Sequence, residues 1–468
     1  MRRAMKFGGT SVANADVVCK IAEIIKQYHD AGDELIVVVS AQRGVTDTIM
    51  KTTSELLHRY DENGISELLT DLSTRHLTAL KGAAPSYYDE VCVVIERRIE
   101  NLGNFLRAIY HLKELTPRSY DYVSSFGERL NVPIVNACLR EIGLASTALD
   151  ACEAGLLTTR SHGDAVALPA GDQRIRDRVL PLITGQDPLI PVITGFMGCT
   201  EEGIVTTLGR SGSDYTASII GAALDVDEIW IWTDVDGIMT TDPRLVPNAR
   251  VIDELSYIEV MELSYFGAKV MHSRSIEPAM QKSIPVLVKN TFNPDAPGTL
   301  ISAGKYNDTR VVKAITYIEK VATITVAGAQ MIGRPGVANF IFSALGNAGI
   351  NVMMISQASS EANITLVIDE EQAERAKECL MPLIRQCMVR DIVVDRNVCA
   401  VAVVGSGMNG ALGTAGRTFS ALGNAGINVM MISQGSSEVN ISFIVQGDQG
   451  ARAVHVLHDE FRLAQAEI

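Results

Sequence analysis

Two stretches in the last third of the chain read FSALGNAGINVMMISQASSEANITLVI (Phe342–Ile368) and FSALGNAGINVMMISQGSSEVNISFIV (Phe419–Val445). At an offset of 77 they agree at 21 of 27 positions. This period exceeds that of a solenoid, about 20 to 50 residues, and implies two copies of one small domain. Each copy opens on an alternating apolar strand, Val321–Val326 or Cys399–Val404, then a glycine-rich turn and a helix that Gly349 or Gly426 ends. A strand (Ile350–Ile355 or Ile427–Ile432), a polar turn, another strand (Asn363–Ile368 or Asn440–Val445) and a second helix (Glu371–Gln386 or Gly450–Phe461) follow. Asp391–Val394 supplies a last strand for the first copy. The order β-α-β-β-α is a ferredoxin-like α+β plan of about 70 residues.

Gly405–Gly410 in the second copy matches G-x-G-x-x-G, the dinucleotide fingerprint. The strand after it ends at Gln434 rather than at a ribose-binding acid, and the first copy has Gln330 where the second glycine belongs. These turns therefore read as packing features.

Upstream of Val311 the pattern changes to buried strands alternating with amphipathic helices, the mark of an α/β fold with a mainly parallel sheet covered by helices on both faces. Val17, Ile21, Ile24, Ile25 and Tyr28 form the apolar face of a helix stopping near Gly32, and Leu35–Val39 is a buried strand. Pro294–Tyr306, rich in Gly, Pro and Asn, reads as the linker to the repeats.

The chain has 468 residues, 47% of them hydrophobic and 21% charged, which suits a globular protein of several domains and excludes wholesale disorder. A net charge of -14 argues against a nucleic-acid partner. No apolar run approaches the roughly 20 residues of a membrane span, and the N-terminus lacks a signal-peptide apolar core, so a cytoplasmic protein without a membrane partner is expected. Eight scattered cysteines lack any metal-ligand spacing and read as reduced thiols.

Three segments place small or charged residues at strand ends, where open α/β sheets bind ligands. Lys6-Phe7-Gly8-Gly9-Thr10-Ser11 runs from a strand into glycines that let backbone amides approach phosphate, or else is a plain turn. Gly209–Asp214 (GRSGSD) sets an arginine fork beside a helix start, fit for a carboxylate or phosphate, or else is an ordinary cap by Asp214. Thr233–Gly237 and Thr240–Arg244 form acidic, hydroxyl-bearing loops suited to a nucleotide, or else a pair of Asx turns.

Together with VVSA at Val38–Ala41, FGERL at Phe126–Leu130, WTDVDGI at Trp232–Ile238, TTDPR at Thr240–Arg244 and FGAKV at Phe266–Val270, the motifs KFGGTSV (Lys6–Val12) and GRSGSD resemble the aspartate kinases of the amino-acid kinase superfamily. The duplicated tail resembles that family's paired ACT domains, and its wording is similar to the kinase half of the bifunctional aspartokinase–homoserine dehydrogenases. Few residues follow the second copy, so a form without a dehydrogenase domain is implied. The resemblance implies an amino-acid kinase domain over 1–300, a first ACT domain over 311–396 and a second over 397–468, in tandem or nested.

It also implies transfer of the γ-phosphoryl group of ATP to the side-chain carboxylate of L-aspartate, giving 4-phospho-L-aspartate and ADP. Lys6 would neutralise the moving phosphoryl group, with Gly8, Gly9, Thr10 and Ser11 at the phosphates and Asp214 capping its helix and holding Lys6. Ser40, Thr46, Glu128, Arg210 and Ser213 would form the aspartate pocket, Glu128 facing the α-ammonium. Thr233, Asp234, Met239, Arg244, Lys269 and Val270 match nucleotide positions. Mg²⁺ would ride on the ATP phosphates with no protein metal site. Gln357, Gln434, Asn351 and Asn428 match effector positions, threonine being the first expected inhibitor and lysine the second. A homodimer or higher homo-oligomer through the ACT domains is implied. The sequence departs from the family at Met239, often tyrosine, at Ser211, often glycine, and at Ser273, often proline.

Overall fold

The computed structural model describes residues 1–58, 62–267, 271–303 and 310–465. The chain divides into two compact units, one of Met1–Ile238, Asp253–Tyr257 and Val270–Gly304, the other of Met239–Ile252, Ile258–Lys269 and Lys305–Ile468.

The first unit is built on an eight-stranded sheet. Its strands are β1 (Arg2–Phe7), β2 (Glu34–Val39), β3 (Ser146–Leu149), β4 (Ile190–Thr194), β7 (Glu228–Thr233), β8 (Glu254–Ser256), β9 (Val286–Asn290) and β10 (Thr299–Ser302), in the order β3-β4-β2-β1-β7-β9-β10-β8. β5 (Met197–Cys199) and β6 (Val205–Thr207) form a separate hairpin. The six strands from β3 to β9 are mutually parallel, and β10 runs antiparallel to β9. Central strands such as β2, buried at every position after Glu34, are continuous apolar runs because both faces of a parallel sheet are covered.

Alternate residues serve the two faces. Met5, Phe7, Val37, Val39 and Trp232 join the core made with Ile21 and Ile25 of the helix Ala15–Asp30 and Leu130 and Ile134 of the helix Phe126–Glu141. Lys6 lies on the opposite face from Phe7, toward the helix Gly212–Ala223. That helix lies close to the sheet, for a Cβ on Gly221 would meet Ile229 at 2.8 Å.

The expected linker Pro294–Tyr306 is partly strand. Thr299–Ser302 is β10, paired with both β9 and β8, and of this linker 304–306 lie outside the described residues. Turn-rich composition hid it because β10 is four residues long and one of its two partners, β8, lies far upstream at Glu254–Ser256.

In the second unit β11 (Ala314–Ala327), β12 (Met354–Gln357), β13 (Asn363–Asp369), β14 (Asp391–Val404), β15 (Met431–Gln434) and β16 (Asn440–Gln446) form one antiparallel sheet in the order β12-β13-β11-β14-β16-β15. The expected final strand of the first copy and the first strand of the second are the two halves of β14. β11 is likewise twice the expected length and pairs with β14 from Ala314↔Val404 to Ala327↔Asp391, with the register broken between Ile318 and Thr323.

Two cores result. Ala322, Ile324 and Val326 of β11 pack with Ile341, Leu345, Leu366 and Leu380, whereas Ile315 of the same strand packs with Val401, Val403, Leu422, Phe443 and Leu457. The helices close as expected at Gly349 and Gly426, both at positive φ, where the amides of Ile350 and Ile427 donate back to Leu345 and Leu422. β12 and β15 are shorter than expected, starting at Met354 and Met431; only the amides of Met353 and Met430, just ahead of them, still donate to Val367 and Ile444 of the neighbouring strands.

The G-x-G-x-x-G turn is closed by packing. A Cβ on Gly405 or Gly407 would lie 2.5 Å from the Val311 or Arg310 carbonyl oxygen, and the Ser406 amide donates to Glu259 at 2.6 Å.

Candidate active site

The C-terminal ends of β1, β2, β4 and β7 converge on one crevice edge. Gly8 donates its amide to the Trp232 carbonyl at 3.1 Å, Ser40 to Phe7 at 3.2 Å, and Gly195 to Val39 at 2.9 Å, so the chain turns away from each strand at the same level. Gly9 is required by space: a Cβ there would sit 2.9 Å from the Ala41 oxygen. Ser11 is fully buried and its hydroxyl is 2.7 Å from that of Thr291, so it anchors the glycine turn, while Gly9 and Thr10 are part-exposed.

Lys6 Nζ lies 2.6 Å from Asp214 Oδ1, with both side chains largely buried. The expectation that Asp214 caps its helix is not met. The cap position is Ser211, at φ +54, no side chain caps there, and Asp214 stands inside the first turn facing Lys6. The distance between β1 and the helix start is spanned by the long lysine side chain, which draws the carboxylate away from the helix amides.

Glu128 stands in the first turn of the helix Phe126–Glu141 and is 4% exposed. A Cβ on the preceding Gly127 would meet Ala41 Cβ at 2.6 Å and Thr46 Oγ1 at 2.7 Å, so that helix start is pressed against the loop that follows β2. This close approach brings Thr46 beside the segment carrying Glu128. Burial pushes the Glu128 carboxyl up to about 8, opposed by the Ala41 and Glu128 backbone amides and by Lys6. Its Oε2 has no hydrogen-bond partner among the described residues. A buried acceptor without a donor costs free energy until a ligand supplies one, and a cationic donor would also restore the carboxylate's charge.

Ser213 is buried, and a Cβ on Gly195 would lie 2.5 Å from its hydroxyl. Ser40 is held from behind, Asn131 Nδ2 donating to its carbonyl at 2.8 Å. Arg210 is exposed and makes no hydrogen bond or ion pair among the described residues. His272 caps the helix Ser273–Lys282 by accepting from the Arg274 amide at 3.3 Å, and burial followed by the charges of Arg274 and Arg210 lowers its pKa.

Thr233 ends β7 and Asp234 follows it, part-exposed and exposed, and the Thr233 carbonyl accepts from the Thr291 amide at 2.9 Å. The loop beyond them is fixed by Asp236, which accepts from Asn290 at 2.8 Å and Asn293 at 3.1 Å. Met239 and Arg244 belong to the second unit; Arg244 is turned onto its neighbour Asp242, Nε lying 3.0 Å from Oδ1. Lys269 and Val270 lie outside the described residues. In the second unit Gln357 and Gln434 end β12 and β15 with exposed side chains, and Asn351 and Asn428 are exposed just before those strands.

Sequence reasoning passed over Gly195 and Phe196. Phe196 holds φ +67, and a Cβ on Gly212 would meet it at 2.8 Å, so this strained residue forms the wall beside the Gly212 helix start. The available signal was a glycine directly after the buried β4.

The model described as the amino acid kinase family matches residues 1–290, and that described as ACT domain matches 324–381 and 401–461. Aspartokinase 1, chloroplastic, of Arabidopsis thaliana is 34% identical over 98% of this chain and 79% of its own length. Bifunctional aspartokinase/homoserine dehydrogenase 2, chloroplastic, of the same plant is 34% identical over 99% of this chain, which spans 51% of that relative. Among solved structures, E. coli aspartokinase III in complex with aspartate and ADP (R-state) superposes with a TM-score of 0.83 at 28% identity, covering 98% of this chain and 99% of that one. The order of motifs along the crevice, the fold beneath them and these similarities agree, and the chain belongs to the aspartokinase family of amino acid kinases.

Proposed function

We propose that this chain is an ATP-dependent aspartate kinase, transferring the γ-phosphoryl group of ATP to the side-chain carboxylate of L-aspartate to give 4-phospho-L-aspartate and ADP. The observation that carries the reading is the meeting of a buried Lys6–Asp214 pair with the unpartnered, buried Glu128 oxygen at the ends of the central strands. The acceptor carboxylate, with a reference pKa of about 4, is ionised at neutral pH, so no general base is needed. Positioning and charge neutralisation carry the step.

Lys6 neutralises charge on the moving phosphoryl group, with the Gly8–Gly9 turn supplying amides, and Asp214 keeps Lys6 aimed. Glu128 receives the α-ammonium, Arg210 clamps a carboxylate, and Ser40, Thr46 and Ser213 complete the pocket. Thr233, Asp234, Met239, Arg244, Lys269 and Val270 serve the nucleotide. Mg²⁺ arrives on the ATP phosphates: Asp214 is committed to Lys6, so this edge suits a cation that keeps phosphate and water ligands. Bound there, it would neutralise β- and γ-phosphate charge.

The kinase domain is read as 1–300 and the ACT domains as 311–396 and 397–468. Ile315 shares its core with Val401 and Phe443, which supports the nested arrangement. Threonine is the first expected inhibitor, at Gln357, Gln434, Asn351 and Asn428; lysine, found with aspartate in a structure of E. coli aspartokinase III, is the second. Ile355 and Ile432, exposed on the edge strands β12 and β15, support assembly of a homodimer or larger homo-oligomer through these domains.

Coupled ADP release tests the reading. With Mg-ATP, turnover is expected with L-aspartate and not with L-glutamate or N-acetylglutamate, and added threonine suppresses it. Folded protein that binds threonine without aspartate-dependent turnover would instead be an amino-acid sensor.

A further inference from the structure

Asp121 has no part in the chemistry above, yet its carboxylate is completely buried. It lies on the helix Pro117–Ser124, which Thr116 caps by accepting from the Ser119 amide. Oδ1 accepts from the Gly163 amide at 2.9 Å and the Thr207 hydroxyl at 2.6 Å, and Oδ2 accepts from His162 Nδ1 at 2.6 Å. Three donors converging on a carboxylate shielded from water fix its rotamer and strengthen each bond. The group therefore fastens two segments distant in sequence, 162–163 and the end of β6.

Those segments meet at the turn carrying Arg210. The Ala165 amide donates to the Thr207 carbonyl at 2.9 Å, joining them directly. Gly209, at φ +75, leans on the same wall: a Cβ there would stand 2.9 Å from Asp164 Oδ1 and 3.2 Å from the Gly163 oxygen. On the far side Arg274 grips Asp164, Nη2 lying 3.0 Å from Oδ2, and the Ser275 hydroxyl donates to the Ser211 carbonyl at 3.2 Å. Arg210 has no side-chain partner among the described residues, so the backbone turn sets the point from which its side chain starts and a ligand carboxylate is left to fix the guanidinium.

We propose that Asp121 is a positioning residue for the acceptor amino acid: through His162, Gly163 and Thr207 it sets the turn that presents Arg210 to the substrate carboxylate. This rests on the reading of Arg210 as that clamp.

The test compares Asp121→Asn, Thr207→Val, Arg210→Ala and the double variant Asp121→Asn/Arg210→Ala in the full chain. Asparagine keeps the shape of Asp121 but sets an NH₂ group against His162 or Gly163. The expected result is a rise of about tenfold or more in KM for L-aspartate, with kcat and KM for Mg-ATP changed by less than about threefold. Asp121→Asn should add little to Arg210→Ala. Should Asp121→Asn fail to fold, Thr207→Val, which removes one hydroxyl, is expected to give a smaller rise of the same kind.

Unchanged aspartate KM in both folded single variants at Asp121 and Thr207, equal losses toward both substrates, or full additivity with Arg210→Ala would overturn the proposal while leaving the clamp intact. An unchanged aspartate KM in Arg210→Ala would remove the clamp itself and the proposal with it.

Discussion

Lys6 Nζ and Asp214 Oδ1 stand 2.6 Å apart with side chains 11% and 7% exposed, joining the C-terminal end of β1 to the first turn of the helix Gly212–Ala223. Removing one member of such a pair leaves an uncompensated charge in a site that water barely reaches, at a cost of about 3 to 5 kcal/mol when burial is complete and less here. Lys6→Met is therefore expected to lower stability by about 2 to 3 kcal/mol in denaturant titration and kcat by about 100-fold or more, with a smaller change in KM. Lys6→Met/Asp214→Asn should recover part of the stability and none of the activity. Equal kcat in wild type and Lys6→Met would remove Lys6 from the chemistry.

Glu128 predicts a pH dependence. Its carboxyl is pushed up to about 8 in the folded, ligand-free protein from an ordinary value of 4.5, chiefly by burial. Between those values the folded state holds a proton that the unfolded state has lost, so this residue's contribution to stability is complete below about pH 4.5 and declines as pH rises toward 8. An ammonium group binding beside it favours the ionised form, so aspartate binding should release protons near pH 7. Titration calorimetry in buffers of different ionisation enthalpy should show that release in wild type and lose it in Glu128→Gln.

The Gly9 turn has no room for a side chain, since a Cβ would lie 2.9 Å from the Ala41 oxygen, a backbone atom. Gly9→Ala must displace either the turn or the loop after β2. We expect KM for Mg-ATP to rise about tenfold or more with the protein still folded, measured by initial rates and circular dichroism. An unaltered KM would place the phosphates away from this turn.

Within the second unit the Tyr265 hydroxyl donates to the Met353 carbonyl at 3.3 Å, just ahead of β12 and two residues from Asn351. Tyr265→Phe deletes this bond and the hydrogen bond of the same hydroxyl with Asn351, each worth about 0.5 to 1.5 kcal/mol. The concentration of threonine or lysine giving half inhibition is expected to shift by about two- to tenfold, with uninhibited turnover preserved. No shift for any inhibitory amino acid would separate this loop from effector binding.

The strand ends carrying Lys6, Gly9 and Thr233 were legible because small and polar residues interrupt apolar runs there. The Asp121 network was not. Asp121, His162, Gly163 and Thr207 come from a helix, a loop and a hairpin strand up to 86 residues apart, and none follows a local pattern that marks burial. Asp214 misled for a related reason: its place near a helix start suggested a cap, and only the position of Lys6 across the sheet shows which partner wins.

The sequence by itself determined the alternation of buried strands and amphipathic helices, the duplication at an offset of 77, and the helix ends at Gly349 and Gly426, because periodicity and glycine conformation are written residue by residue. Tertiary structure alone decided that Asp391–Val404 is one strand shared by both copies, that Ile315 packs with the second copy's core rather than the first, and that Thr299–Ser302 joins the first unit's sheet. Strand pairing is a choice among partners with nearly equivalent backbone groups. Register and total burial across the sheet make that choice, and a single strand's sequence carries little trace of its neighbours.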